Sequence, residues 1–594
     1  MPALDAINLT ILLVALLILV GVASSLVATR FGAPLLVVFI AIGMIAGEDG
    51  PGGIRFDDFQ ATVLVGSIAL AIILFDGGLR TRAAGFRGVI WPALLLATVG
   101  VLATAALIGA AAMLIIGKPP LESLLLGALL ASTDAAAVFF VLGAGGIVLT
   151  RRVAQTLELE SAVNDPAAVF LTLILVELVA RGGEVQASDL GMLALHVTVG
   201  AGLGIAGGLA ASQILNRVEM PQGLHPLFVV TAAVSIYAAT SLVHGSGLLA
   251  VYLAGLVLGN RPMRAYSSVL AFHDAMTWLA QIVMFVLLGL LVTPHLLVER
   301  LPTAFAMAAG LMFVARPLAV ALCLRPFGLN PFGWTWRETG FVGWLGLRGA
   351  VGIFLATLPV LAQLPDARFY FDVAFVAVSL SLLVQAWTVG PIARLFGQVV
   401  PGRVEASHRV ELDLPGQIDL EMVGYPIGRE SPLLKGVTPP AWARPMLVVR
   451  ASRVMTPAEA GALEPDDWTY WLAPPQRARD LDRFFRTPRV TAAEIERFYG
   501  AFVLNGDVRL GALAVIYDLP VPEGRAEVTI ADAFHDAYGR PPVPGDMLNL
   551  GALEMVARDI EEDRLKAVGL RLVETAPRHS SWWERVVRRV LTGR

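Results

Sequence analysis

Two carboxylates, a hydroxyl and an amide stand close together at Glu160-Ser161-Ala162-Val163-Asn164-Asp165-Pro166, inside a stretch, 156–180, that is otherwise apolar enough to cross a membrane. An ionised side chain near a bilayer centre costs about 2.5 to 3.5 kcal/mol even on a lenient scale, so such groups usually line an ion path. On a helix advancing about 100° per residue, Ser161 and Asp165 fall one turn apart on one face, and Glu160 and Asn164 on an adjacent face. One carboxylate can therefore meet an ion while the other is pinned by a structural partner. Pro166 removes a backbone donor and frees a carbonyl one turn earlier, which suits a polar cavity. A carboxylate withdrawn from water holds a proton or a metal cation but poorly both, and such competition couples two ions at one site. The plainer alternative is a polar cluster that only packs helices.

Ala131-Ser132-Thr133-Asp134 puts an acid and two hydroxyls in the middle of another apolar run. Ser and Asp compete for backbone hydrogen bonds and are poor mid-helix residues, so a local break that frees carbonyls for a cation is expected. Gly346-Leu347-Arg348-Gly349-Ala350-Val351-Gly352 implies a second interruption, with Arg348 in need of a carboxylate or a watery cavity. Asp76, in Leu74-Phe75-Asp76-Gly77-Gly78, is a candidate for the cytoplasmic entrance, and Arg316 before Pro317 for a structural cation. His196, His244 and Glu177 read as structural or interfacial. Gly202-Leu203-Gly204-Ile205-Ala206-Gly207 fits a dinucleotide fingerprint in letters, but it lies inside an apolar helix, where small residues serve close helix packing.

These groups need a membrane frame, and the composition supplies one. Of 594 residues, 56% are hydrophobic and 15% charged, and the mean hydropathy is +0.71, which excludes an ordinary soluble enzyme. A net charge of -4 gives no nucleic-acid signal, and the single cysteine, Cys323, builds neither an internal disulfide nor a thiolate metal site. Thirteen apolar runs are expected, at 9–28, 33–48, 60–79, 89–116, 121–147, 156–180, 189–216, 224–243, 246–260, 266–293, 302–324, 338–362 and 369–396. The first is read as a membrane helix and not a cleaved signal. Arginines such as Arg80, Arg151, Arg152, Arg217 and Arg325 follow odd-numbered runs, which places the N-terminus outside and the C-terminal tail in the cytoplasm. Runs one to six and eight to thirteen form two sets around a lone seventh, with the interruptions in runs five and twelve at equivalent positions, the pattern of inverted repeats in a secondary transporter.

From about Pro401 the chain turns polar and proline-rich, as small soluble domains do. Strands are expected in 444–454, 467–472, 509–517, 553–559 and 567–573, a helix near 530–538, and turns at Pro465-Asp466 and Gly545-Asp546. Residues 577–594 combine Trp582, Trp583 and apolar residues with arginines and read as an amphipathic basic tail.

The chain resembles the monovalent cation/proton antiporters, and within them the bacterial potassium/proton antiporters of cell-volume regulation. The runs that carry the resemblance are STDAAAVFFVL at Ser132, ESAVNDPAAVFLT at Glu160 and GLRGAVGIFLATLP at Gly346, with lesser matches at LFDGGL (Leu74) and LAGLVLGNRPMR (Leu253). The tail resembles the C-terminal half of a potassium-channel regulatory domain over 410–486, followed by a transporter-associated domain over 490–575, after a membrane exchanger domain of residues 1–400. The resemblance implies an all-α polytopic membrane fold of about thirteen helices with inverted repeats and two crossing broken helices, plus small α+β cytoplasmic domains. It also implies a homodimer in the bacterial inner membrane. Carried over by position, Asp165 is the proton and cation carboxylate, Asp134 and Ser161 are ligands of potassium or sodium, and Thr133 contributes through its backbone. Asn164 and Glu160 support the site, with Glu160 paired to Arg348. Asn at 164 resembles the electroneutral branch, hence one proton per cation. Two positions depart from the pattern: Ala162-Val163 are unusually apolar, and Asp466 replaces a turn glycine.

The expected activity is export of cytoplasmic potassium, or sodium, against external protons by alternating access, in the service of potassium, pH and volume homeostasis. No cofactor, nucleic acid or enzymatic step is expected. A ligand-gated cation conduit is the alternative that the channel-like tail raises, against which no TVGYG-like filter is found.

Overall fold

The computed structural model describes residues 2–31, 35–81, 88–144, 147–183, 187–221, 223–329 and 333–400, and beyond them shorter segments between 408 and 572. The basic tail, 577–594, lies outside the described residues. Helices α1 (Pro2–Phe31), α2 (Leu35–Ala46) and α3 (Phe59–Arg80) are followed by α4 (Ile90–Ile116) and a broken helix, α5a (Pro120–Leu129) and α5b (Ala135–Ala144). Next come α6 (Arg151–Ala180), α7 (Ala187–Arg217), α8 (Leu224–Leu242), α9 (Gly247–Gly259) and α10 (Tyr266–Leu290). The set closes with α11 (Pro294–Phe327), a second broken helix, α12a (Trp336–Trp344) and α12b (Ala350–Leu361), and α13 (Ala367–Leu395). Each expected apolar run is a helix or a helix pair, and among the described residues 8 helices are long and apolar enough to cross a membrane. The chain is a multi-pass membrane protein.

Helices α1 to α3 pack with α7 to α10, and α4 to α6 with α11 to α13. Small residues set the closest approaches, as they do where lipid gives no hydrophobic drive between helices. A Cβ on Gly78 of α3 would stand 2.9 Å from the Leu256 nitrogen of α9, and one on Gly43 of α2 would stand 2.9 Å from Cα of Gly289 in α10. Two helices carry a π turn, Leu96–Gly100 in α4 and Leu311–Ala315 in α11. In α11 the turn precedes Arg316-Pro317, whose proline cannot donate into the helical ladder. In α4 the Leu95 carbonyl accepts the Cys323 thiol of α11 at 3.6 Å, so the lone cysteine is buried and structural.

The chain divides into two compact units, Met1–Pro326 with Thr335–Pro488, and Phe327–Trp334 with Arg489–Arg594. The first contains an antiparallel sheet of β1 (His408–Glu411), β2 (Glu421–Pro426), β3 (Arg444–Arg450), β4 (Arg453–Met455) and β5 (Trp468–Ala473), ordered β1-β2-β5-β3-β4. Asp466 has a φ of +72°, so it takes the left-handed conformation that a glycine would adopt without strain. The second unit has β6 (Phe502–Asn505), helices α14 (Leu510–Tyr517) and α15 (Ile530–Tyr538), and β7 (Met547–Leu550), β8 (Leu553–Glu561) and β9 (Arg564–Leu572) in the order β6-β9-β8-β7. Here one expectation fails: 509–517, read as a strand, is the helix α14. Leu510 and Leu513 enter the core three residues apart while Val515 and Ile516 stay exposed. That is helical spacing, and the β-branched pair that invited the strand reading is on the outside.

Candidate functional site

The two broken helices meet at their breaks. Helix α5a ends at Leu129 and α5b begins at Ala135; α12a ends at Trp344 and α12b begins at Ala350. The Asp134 amide donates to the Leu347 carbonyl at 2.8 Å, so one non-helical segment is hydrogen-bonded to the other. Arg348 Nη1 donates to the carbonyls of Ala131 and Ser132 at 2.6 and 2.5 Å. A helix C-terminus leaves carbonyls unsatisfied and carries partial negative charge, and Arg348 answers both at the end of α5a. The glycines beside Arg348 are there for proximity. A Cβ on Gly349 would come within 2.8 Å of Asp134 Cβ, one on Gly352 within 2.9 Å of the Leu129 carbonyl, and one on Gly346 within 3.0 Å of Arg316 Cγ.

Helix α6 runs past this crossing, and its faces divide the work. Glu160, 1% exposed, receives Arg316 Nη1 and Nη2 at 2.5 and 3.0 Å. The expected partner was Arg348; the structure corrects it to Arg316. The cause is local: the guanidinium of Arg348 is drawn to the α5a carbonyls, while α11 presents Arg316 to the Glu160 face of α6 and ties it also to the Leu345 carbonyl at 3.4 Å. The Ser161 hydroxyl donates to the Thr133 carbonyl at 3.0 Å and accepts the Ala135 amide at 3.1 Å. Asn164 Nδ2 donates to the Thr133 hydroxyl at 2.5 Å, and its buried Oδ1 has no hydrogen-bond partner among the described residues. Asp134 caps α5b by accepting the Ala137 amide at 3.1 Å.

Asp165 is 7% exposed and, among the described residues, makes no hydrogen bond or ion pair; the nearby charge that acts on it is Asp134, of its own sign. Two carboxylates, two hydroxyls and an amide oxygen thus converge where the breaks cross. Hard oxygen donors of this kind suit an alkali cation, and no cluster of three or more His, Cys, Asp or Glu able to hold a metal occurs among the described residues.

Asp76, the candidate for the entrance, is buried on α3 and accepts Arg80 Nε at 3.0 and 2.8 Å, and Arg80 Nη2 reaches Asp274 of α10 at 3.1 Å. Asp274 lines a cavity of about 170 Å³ with Ala136 and Ala137 of α5b, Leu347 of the second break, and Leu382 and Ala386 of α13. The Asp76–Arg80–Asp274 chain therefore borders a cavity that reaches the first turn of α5b. His196 lies against Phe170, and Glu177 pairs with Arg181 at the end of α6. By sequence Arg316 is a candidate structural cation without an assigned partner, and the fold supplies Glu160 as that partner.

Comparison with known proteins adds lineage to this geometry. The profile of the sodium/hydrogen exchanger, transmembrane, family matches residues 12–395, and that of the transporter associated domain matches residues 495–574. The chain is 39% identical over 577 residues to a K(+)/H(+) antiporter NhaP of Alkalimonas amylolytica, covering 96% of this chain and 99% of that one. It is 39% identical over 574 residues to a K(+)/H(+) antiporter NhaP2 of Shewanella sp. (strain ANA-3), with 96% and 99% covered. Among solved structures, the sodium proton antiporter MjNhaP1 of Methanocaldococcus jannaschii superposes with a TM-score of 0.57 at 23% identity, covering 65% of this chain and 98% of that one, which is a likeness of fold.

Proposed function

The chain belongs to the sodium/hydrogen exchanger family, and from that premise we propose that it exports cytoplasmic potassium in exchange for external protons, one for one, by competition at Asp165. The observation that carries the reading is the state of Asp165: withdrawn from water, without a partner among the described residues, and set beside the crossing of two broken helices. Asp134, Ser161 and Thr133 are its companions in holding the cation, and Asn164 supports them by fixing Thr133. Arg348 and the Arg316–Glu160 pair hold the surrounding backbone. When the cation leaves, Asp165 takes the proton, so each ion must depart before the other can be carried. No cofactor and no chemical step is required. We place the N-terminus outside, the tail in the cytoplasm and a homodimer in the bacterial inner membrane, with potassium preferred over sodium because the potassium antiporters named above match along nearly their whole length.

The test is cation-driven proton flux in proteoliposomes, with potassium, sodium and rubidium compared and the membrane potential clamped. Flux with potassium that vanishes in Asp165→Asn is expected. An Asp165→Asn protein that exchanges at the parental rate would overturn the assignment. A charge crossing the membrane is worth about 2.3 kcal/mol per 100 mV, so one-for-one exchange should proceed at the same rate at every clamped potential.

A further inference from the structure

Helices α10 and α13 belong to different bundles, and their two ends meet differently. Toward the end of α13 the cavity of about 170 Å³ lies between them, bordered by Asp274, Trp278 and Gln281 of α10 and by Leu382 and Ala386 of α13. Leu347 of the second break borders it too, so the crossing beside Asp165 is approached from this half of the molecule. At the beginning of α13, about 21 to 27 Å away at 1.5 Å per residue, the two helices are tied together. Arg368 Nη2 donates to the Leu291 carbonyl and to the Thr293 hydroxyl, each at 2.9 Å. Leu291 closes α10, where unsatisfied carbonyls carry partial negative charge that a guanidinium answers better than a neutral donor. Phe59 of α3 packs edge to face on Phe371 of α13 with ring centres 5.7 Å apart, and the guanidinium stands 5.9 Å from each ring.

A second observation lies one turn along α13. Asp372 is 2% exposed, yet the arginines that pair with it stand off, Arg300 Nη1 at 3.4 Å and Arg368 Nε at 3.6 Å. Both separations exceed the roughly 2.7–2.9 Å of a close charged hydrogen bond. Arg368 thus makes its short bonds to the other bundle and keeps a carboxylate of its own helix in reserve.

We propose that Arg368 is a latch between the bundles. It holds the site closed to the face where α13 begins, and when the site opens to that face its guanidinium leaves Leu291 and Thr293 and closes on Asp372. The inference rests on the antiport reading and extends it to a positioning residue that sets which face the site meets. Alternating access is biased only by contacts that differ between its two arrangements. The bonds of Arg368 are of that kind: they join two helices that stand apart around the cavity at their other ends, so a rigid rotation of one bundle that closes the cavity parts the latched end.

The test uses the full chain reconstituted in known orientation, with potassium supplied at one face and then at the other. Apparent affinity at a face falls with the fraction of protein that presents its site there. In Arg368→Met, KM should rise by about threefold to tenfold for potassium supplied where α13 ends and fall by a like factor where α13 begins. Thr293→Val, which keeps the bond to Leu291, should move both values in the same directions by a smaller factor. Asp372→Asn, which weakens the alternative partner, should instead raise KM where α13 begins. If Arg368 were only a strut, Arg368→Met and Thr293→Val would lower the thermal midpoint and the maximal rate with both KM values at the parental level, and that result overturns the latch. Should Arg368→Met fail to insert, the opposite signs of Thr293→Val and Asp372→Asn decide the matter. Exchange that survives Asp165→Asn overturns the antiport reading and the latch with it; exchange that requires Asp165, with the same KM at each face in Thr293→Val and Asp372→Asn as in the parent, overturns the latch alone.

Discussion

Arg316 and Glu160 meet through two hydrogen bonds with side chains 4% and 1% exposed, which makes them sensitive to the loss of either partner and tolerant of the loss of both. Removing one member of a buried pair strands the other charge, at about 3–5 kcal/mol, whereas replacing both with apolar residues is often neutral. Arg316→Met should therefore sharply lower the thermal midpoint of the detergent-solubilised protein, and Arg316→Met combined with Glu160→Leu should recover most of the loss. Arg348→Met should gain nothing from Glu160→Leu, because Arg348 serves carbonyls; rescue of Arg348→Met would restore the pairing expected from the sequence. In the tail, Asp467 accepts Arg450 Nε and Nη2, each at 2.8 Å, and the Glu464 amide at 2.8 Å. The Arg450 guanidinium holds this carboxyl below its ordinary value. A folded-state value below the unfolded one gives stability that is present above the unfolded value of about 3.9 and lost as the pH falls through the folded one. The β3–β5 sheet should accordingly lose hydrogen-exchange protection, corrected for intrinsic rate, on acidification below about pH 4. Asp467→Asn, which never carries the charge, should start less protected and show no such acid limb.

At the scale of elements, the broken helices depend on close approach, and the glycines of the second break are where that dependence is measurable. A Cβ on Gly352 would stand 2.9 Å from the Leu129 carbonyl, a backbone atom that cannot swing away. Gly352→Ala should cost about 1–3 kcal/mol of stability through overpacking. Gly310→Ala in α11, where a Cβ meets nothing within 4 Å, should be neutral or stabilising by up to about 1 kcal/mol. Equal loss in the two variants, read from thermal unfolding, would show that helix propensity and not the crossing governs Gly352. These glycines also show what a sequence can disclose. Ser132, Asp134 and Arg348 marked both interruptions, because polar groups in an apolar run have few other uses. The glycines pointed to the same place for a different reason: they were read as breakers, and they serve as contact points. Nothing in the letters disclosed the π turns of α4 and α11, because whether a strained turn closes four or five residues back depends on what packs against it. The same limit hid the partner of Glu160: two arginines were in reach by composition, and only the path of α11 selects between them.

For the whole molecule, the α6 face assignments and the thirteen-run frame were legible, while the route by which the tail touches the exchanger was not. The chain leaving α13 pairs with the link between α5b and α6: the Val400 amide donates to the Val148 carbonyl at 2.8 Å, and the Thr150 amide to the Gln398 carbonyl at 2.9 Å. The Thr150 hydroxyl adds a bond to the side chain of Gln398, which is 3% exposed, at 2.8 Å. Thr150 is the residue that precedes the first turn of α6, the helix carrying Asp165. A tail that favours one of two arrangements can bias transport only through contacts that differ between them, and this tie is a direct contact from the chain entering the tail to the site helix. The place of truncation should therefore matter. A chain ending after residue 400 keeps the tie and should exchange potassium for protons with an altered dependence on cytoplasmic pH. A chain ending after residue 396 loses three hydrogen bonds, each worth about 1 kcal/mol, and should show a lower apparent affinity for potassium in addition. Flux measured against potassium concentration and pH separates the two effects. Identical behaviour of the two truncations would mean that the tail acts on the exchanger by another route, and the double variant Thr150→Val with Gln398→Ala in the full chain would then match the parent.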